Sequence, residues 1–410
     1  MRYLDRPLYT DRLAGYVDTP FAKVLTGIRR CGKSVLLRLL RERLSSRGVP
    51  GERIVHLDFD DLRNAHLRVP QVLHAYLAER VPSDGGTLYV LLDEIQEVVE
   101  WEKVVNSLLA SGRVDLYLTG SNSRLLASEL ATYIAGRYVS IEVSTLSFGE
   151  FVRFAQETGH GAGLSTRDLF TKFQARGGFP GLFAADFFDE QARQIVADIY
   201  ASAVLRDVVS RNQIRSPGLF ERVARYALDN VGNIFSARRV SDFLRSESMS
   251  VGHQTVADYL QAMTDAYILR RVRRFDLRGR AHLATMEKYY CGDHGMVNAI
   301  LGPSMTRLPG ILENIVHAEL VRRGYEVSIG KVGAAEIDFV AQRRDERVYV
   351  QVSASILDPA TRQREYAPLL AIADSYPKYV VTLDDVVGGS TRGVRHARVP
   401  DFLLDAAWSA

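Results

Sequence analysis

Gly27, Gly32, Lys33 and Ser34 stand at the spacing G-x-x-x-x-G-K-[ST] within the stretch Gly27-Ile28-Arg29-Arg30-Cys31-Gly32-Lys33-Ser34. A phosphate cradle needs several backbone N–H groups converging on one point, and a glycine loop opening a helix supplies them. The segment from Gly27 through Ser34 to Val35 is therefore the candidate nucleotide-binding stretch, with Lys33 reaching the terminal phosphates and Ser34 ligating magnesium. A second pair, Asp93 and Glu94, follows the apolar run Leu88 to Leu92. Asp93 is expected to bind Mg2+ through water, and Glu94 to orient and polarise an attacking water, because phosphoryl transfer depends on positioning and charge stabilisation. Taken together, the two sets predict ATP and Mg2+ as cofactors.

Two further groups are candidates. The run Asp115 to Leu118 ends in the small polar residues Thr119, Ser121, Asn122 and Ser123, of which Ser121 or Asn122 would contact the γ-phosphate or the attacking water; either would also serve well as the N-cap of the next helix. Gly136-Arg137 precedes a last strand, at the edge where ring-forming ATPases present an arginine to a neighbour's nucleotide, although an arginine there also reads as surface charge.

These residues must be held by alternating strands and helices. "FAKVLTG" reads as a buried strand, and "SVLLRLLRERL" places Val35, Leu36, Leu39, Leu40 and Leu44 at helical spacing. "RIVHLDFDDLR" reads as a second strand, and "TLYVLLDEIQEV" as a central parallel strand carrying acids at its carboxyl end. The chain has 410 residues, 47 % hydrophobic and 25 % charged, a composition that fits a globular protein of two or three domains. A net charge of +3 is too small to argue for nucleic acid, so that case rests on local clusters. Two cysteines, Cys31 and Cys291, argue against a disulfide framework. The start lacks a signal-peptide core and no apolar run approaches about 18 residues. The expectation is a cytoplasmic protein without a membrane partner.

In their order and spacing, "GIRRCGKS", "LLDEIQE", "LTGSNSRLL", "AGRY" and "LSFGEF" resemble the bacterial and archaeal AAA-type ATPases in which a P-loop domain precedes a winged helix and an endonuclease-like C-terminal domain of unknown function. "ARGGFPGLF", "EIDFVAQRRDERVYVQVS" and "SYPKYVVTLDD" extend the resemblance over almost the whole chain. It implies ATP binding, an oligomeric ATPase, and Arg137 as the preferred arginine finger; it supplies no substrate. The expected fold class is α/β: a P-loop AAA-type parallel sheet domain over 1–147, a helical lid over 148–215, a winged helix-turn-helix over 216–305 and an α/β endonuclease-like domain over 306–410.

Within the third segment, Val256, Tyr259, Leu260 and Met263 would face a core while His253, Gln254, Thr255 and Asp258 face outward. Arg270, Arg271, Arg273, Arg274, Arg278 and Arg280 crowd the expected wing, where they would contact either a DNA backbone or an acidic protein partner. In the last segment Asp338 matches the strand acid of a metal-dependent nuclease. Gln351 and Ser353, however, stand where such enzymes carry an acid and a lysine, so nuclease activity is the minor alternative. The function expected is Mg2+-dependent ATP hydrolysis that switches or remodels a macromolecular partner; the rival is an ATP-gated DNA-binding module.

Overall fold

The computed structural model describes residues 3–122, 136–277, 281–333, 335–385 and 389–405, with 281–286 as backbone only. Ser123, Arg278 and Arg280 lie outside the described residues. The chain divides into two units, Met1–Val143 with Asp265–Tyr267, and Ser144–Thr264 with Ile268–Ala410.

The first unit is a parallel sheet of β1 (Ala22–Thr26), β2 (Ile54–Asp58), β3 (Leu88–Asp93), β4 (Val114–Thr119) and β5 (Tyr138–Glu142), in the order β2-β3-β4-β1-β5. Helices α1 (Pro7–Ala14), α2 (Lys33–Ser46), α3 (Pro70–Ala78) and α4 (Trp101–Ala110) accompany it. Parallel strands covered on both faces read as continuous apolar runs, and β1, β3 and β4 are buried at every position. Leu73, Trp101 and Val105 pack with Val24, Val90, Leu92 and Leu116 in one core. The stripe of α2 differs from the expected one. Leu36, Leu37, Leu40 and Leu44 are buried, while Val35 and Leu39 are only half-buried, a rotation that periodicity alone could not resolve in a helix this rich in leucine.

A buried pair of charges in this unit breaks the apolar pattern. Lys23 of β1 is fully buried, and its ammonium pairs with Asp115 of β4 and donates to the Thr19 carbonyl at 3.0 Å. Asp115 in turn accepts from the Asp18 amide at 2.9 Å and the Tyr117 hydroxyl at 3.0 Å, so the buried pair has its hydrogen bonds satisfied.

The second unit begins with α5 (Phe148–Glu157), α6 (Thr166–Arg176) and α7 (Asp189–Ala203), followed by α8 (Pro217–Asp229), the short β6 (Ile234–Phe235), α9 (Ala237–Ser246) and α10 (His253–Asp265). Ser147 opens α5 with a capping box, its hydroxyl accepting from the Glu150 amide and its own amide donating to the Glu150 carboxylate. Next come the hairpin β7 (Leu269–Asp276) and β8 (Ala281–Cys291), then α11 (Gly295–Leu301) and α12 (Leu308–Arg322). The remainder is β9 (Glu326–Val332), β10 (Ala335–Arg343), β11 (Glu346–Val352), α13 (Pro359–Leu370), β12 (Lys378–Thr382), β13 (Ser390–Thr391), β14 (Val394–Arg398) and α14 (Val399–Leu404). In α10, Val256, Tyr259, Leu260 and Met263 are buried, His253, Gln254 and Asp258 are exposed, and Thr255 is half-buried.

A single sheet, β13-β14-β12-β11-β10-β9-β7-β8-β6, runs through this unit. Its unexpected joint is a parallel pairing of β7 with β9, with Arg274, Phe275 and Asp276 opposite Ile329, Gly330 and Lys331. The basic hairpin thus continues the C-terminal strands in one hydrogen-bonded layer.

Candidate functional site

The glycine loop closes between β1 and α2. Gly27 has φ of 134°, and a Cβ there would stand 2.1 Å from the Val143 carbonyl oxygen, so the position excludes any side chain. Gly32 precedes α2 at φ of 108°, and Arg30 also takes a left-handed φ of 68°. Lys33 is buried, and its ammonium donates to the loop's own carbonyls, Gly27 at 2.9 Å and Ile28 at 3.2 Å. Cys31 is buried and its carbonyl accepts from the Arg6 guanidinium at 3.0 Å. Arg6, itself buried and stacked 4.5 Å from the Tyr9 ring, braces the loop from a segment that carries no motif. Arg29 reaches toward Asp60 at 3.9 Å.

The carboxyl ends of β3 and β4 face this loop through hydrogen bonds. Ser34 bonds the Asp93 carboxylate through its side chain. Thr119, at the end of β4, donates its hydroxyl to Asp93 Oδ1 and accepts from the Glu94 amide at 2.9 Å. Asp93 is buried; burial pushes its carboxyl above the usual carboxylate range, while the Ser34 and Thr119 hydroxyls pull it back down. Glu94 leaves the strand in the left-handed region with φ of 53°, and its Oε2 accepts a hydrogen bond from Gln96 Nε2. Ser121 and Asn122 follow directly on β4, both buried, after the Gly120 amide bonds the Leu25 carbonyl of β1 at 3.1 Å.

Lys33, Ser34, Asp93 and Glu94 are therefore brought together, and Ser121 and Asn122 stand at the tip of the intervening strand. Arg137 is not brought there. It immediately precedes β5, its carbonyl accepts from the Ala22 amide at 2.9 Å at the opposite end of β1, and its guanidinium donates to Asn106 of α4. Thr119, Gln96 and Arg6 were missed as site residues. Thr119 had a signal, since a hydroxyl ending the strand beside an acid-ended one is placed to meet it; Gln96 and Arg6 had none.

A hydroxyl and a carboxylate side by side are the oxygen donors a hard cation takes, so Ser34 and Asp93 fit Mg2+. Among the described residues no cluster of three or more His, Cys, Asp or Glu side chains is arranged to hold a metal ion. Among the same residues no helix is long and apolar enough to cross a membrane.

A five-stranded parallel sheet with a glycine loop after β1 and an acid pair at the end of β3 is the arrangement of a P-loop domain, and residues 19–152 match an AAA domain. A domain of unknown function matches residues 167–307. An uncharacterized protein of Haemophilus influenzae is 35 % identical over 401 residues, covering 98 % of each chain. The chain belongs to the same family as that protein. An uncharacterized protein of Methanocaldococcus jannaschii is 29 % identical over 313 residues, 74 % of this chain and 67 % of its own. Among solved structures, a Walker-type ATPase of Pyrococcus abyssi shares the fold at a TM-score of 0.52 and 16 % identity, over 72 % of this chain and 95 % of that one.

Proposed function

We propose that this chain binds ATP with Mg2+ and hydrolyses it to switch how it holds a macromolecular partner. The observation that carries the reading is the hydrogen-bonded chain Ser34, Asp93, Thr119 and Glu94, set beside the Lys33 loop. In this reading the loop amides from Gly27 to Val35 cradle the phosphates and Lys33 exchanges its loop carbonyls for phosphate oxygens. Ser34 and Asp93 hold the cation, and Glu94 takes the proton of the attacking water. Ser121 and Asn122 sense the γ-phosphate. Arg137 serves as arginine finger only if it exchanges Asn106 for a neighbouring copy's nucleotide, which requires a homo-oligomer.

Nucleic acid is the partner we favour, through α10 and the β7–β8 hairpin read as a winged helix. Arg273 of that hairpin keeps 61 % of its side chain exposed and approaches a carboxylate, Glu287, only at 3.9 Å. The test is Mg2+-dependent ATP turnover by the wild type, Lys33→Ala and Glu94→Gln, at several protein concentrations, with and without DNA. Lys33→Ala should lose binding or turnover, and Glu94→Gln should retain ATP without hydrolysing it. Turnover per subunit that rises with concentration supports a trans-acting arginine; normal turnover by either variant refutes the assignment.

A further inference from the structure

The second unit contains a charged site that the ATPase reading does not use. Lys288 of β8 is buried, and its ammonium lies 3.0 Å from Glu313 of α12 and, on β10, 2.9 Å from Glu336 and 3.3 Å from Asp338. The ammonium donates hydrogen bonds to Glu313 and Asp338 and pairs in charge with Glu336, so one cation serves three carboxylates. The acids are fixed by other bonds as well. Tyr290 donates to the same Glu313 oxygen at 2.8 Å, and the second oxygen of Asp338 accepts from the Val352 amide at 2.9 Å.

Three carboxylates from two separate elements converging on one point would repel one another without a cation among them. A divalent ion with oxygen ligands at roughly 2.0–2.6 Å is one way to meet that need. In this chain the carboxylate oxygens stand farther back, at the nitrogen-to-oxygen distances of a lysine, and the lysine comes from a strand far away in sequence. The neighbouring residues agree. Gln351, which would have to be an acid to complete a metal set beside Asp338, instead accepts from the Asp338 amide at 3.2 Å and donates to Glu365 at 2.8 Å.

We infer that Lys288 is the resident counter-cation of this carboxylate cage: it takes the place of a divalent metal ion, excludes metal from the site and fastens the basic hairpin to α12 and β10. Under the function proposed above, in which the second unit holds the partner, this cage would supply no metal ion for phosphodiester cleavage. Removing the ammonium should convert the cage into a site for a hard divalent cation.

The experiment titrates Mn2+ against the nucleotide-free full chain, with Asp93→Asn present throughout so that the P-loop site does not bind the metal. Binding is read by the loss of the free-Mn2+ electron paramagnetic resonance signal, and stability by thermal unfolding. The parent should neither bind Mn2+ saturably nor shift in Tm. Lys288→Ala should lose roughly 6–15 °C in metal-free buffer, the usual penalty for leaving buried charge uncompensated, and recover it saturably with Mn2+. Lys288→Arg, which keeps the charge, should not respond to the metal. Lys288→Gln removes the charge but leaves a smaller gap than alanine and is read in the same way if the alanine variant does not fold. A folded Lys288 variant indifferent to Mn2+ would overturn the inference, as would saturable Mn2+ binding by the parent that disappears on Asp338→Asn.

Discussion

Thr119→Val isolates the chain of hydrogen bonds at the heart of the site. Valine matches threonine in shape but neither donates to Asp93 nor accepts from the Glu94 amide, so two bonds disappear while packing is kept. A buried amide left without an acceptor costs about 1–3 kcal/mol, and a lost bond to a charged carboxylate about 1.5–3 kcal/mol. The two share one hydroxyl and overlap, which sets the expected loss at about 2–4 kcal/mol. At roughly 4 °C per kcal/mol for a unit of this size, the Tm should fall by about 8–16 °C. The loss should also depend on pH. Burial raises the Asp93 carboxyl above its ordinary value of 3.8. The folded chain therefore holds a proton that the unfolded chain has released, and this contribution is lost as pH rises from 3.8 through the folded value. Without the Thr119 hydroxyl that window extends further upward, so the gap between variant and wild type should widen from acid toward neutral pH. Calorimetry at several pH values measures this, alongside the Mg2+ dependence of turnover, which should move to higher Mg2+. Thr119→Ser should restore most of both. A Thr119→Val Tm within a degree of wild type, or a gap that narrows as pH rises, would refute the argument.

Gln96→Ala should lower kcat for ATP about tenfold with KM little changed, because its amide is bonded to the Glu94 carboxylate and not to the phosphate-binding loop. Gln96→Glu sets a second carboxylate beside Glu94 and should move the acid limb of the pH–rate profile upward; an unmoved limb argues that Gln96 only packs. Replacing Arg273 and Arg274 by alanine should reduce the slope of log K for DNA against log salt by about one to two, and an unchanged slope removes the hairpin from the contact.

Much of the P-loop unit was legible because its determinants are local. Gly27 is required by its own φ and by a carbonyl 2.1 Å from its missing Cβ, and both demands are met by one residue type at one spacing. Asp93 and Glu94 end a run whose apolarity marks a strand buried on both faces. What periodicity could not give was the rotation of α2, where Leu37 is buried rather than Val35, because nearly every position on that side is a leucine or valine. Lys23 and Asp115 read as interruptions of their strands, and only strand order makes them partners.

From sequence alone came the loop and the acid pair, since a motif whose atoms act within a few residues carries its geometry in its spacing. Tertiary structure decided the rest. It joined Thr119 to Asp93, tied Arg137 to Asn106 at the far end of β1, and paired the basic hairpin with β9. It also carried Lys288 from one hairpin strand into the carboxylates of α12 and β10. Each of these depends on which chain segments become neighbours, and buried charge must then find its partner wherever the fold brings one within about 3 Å.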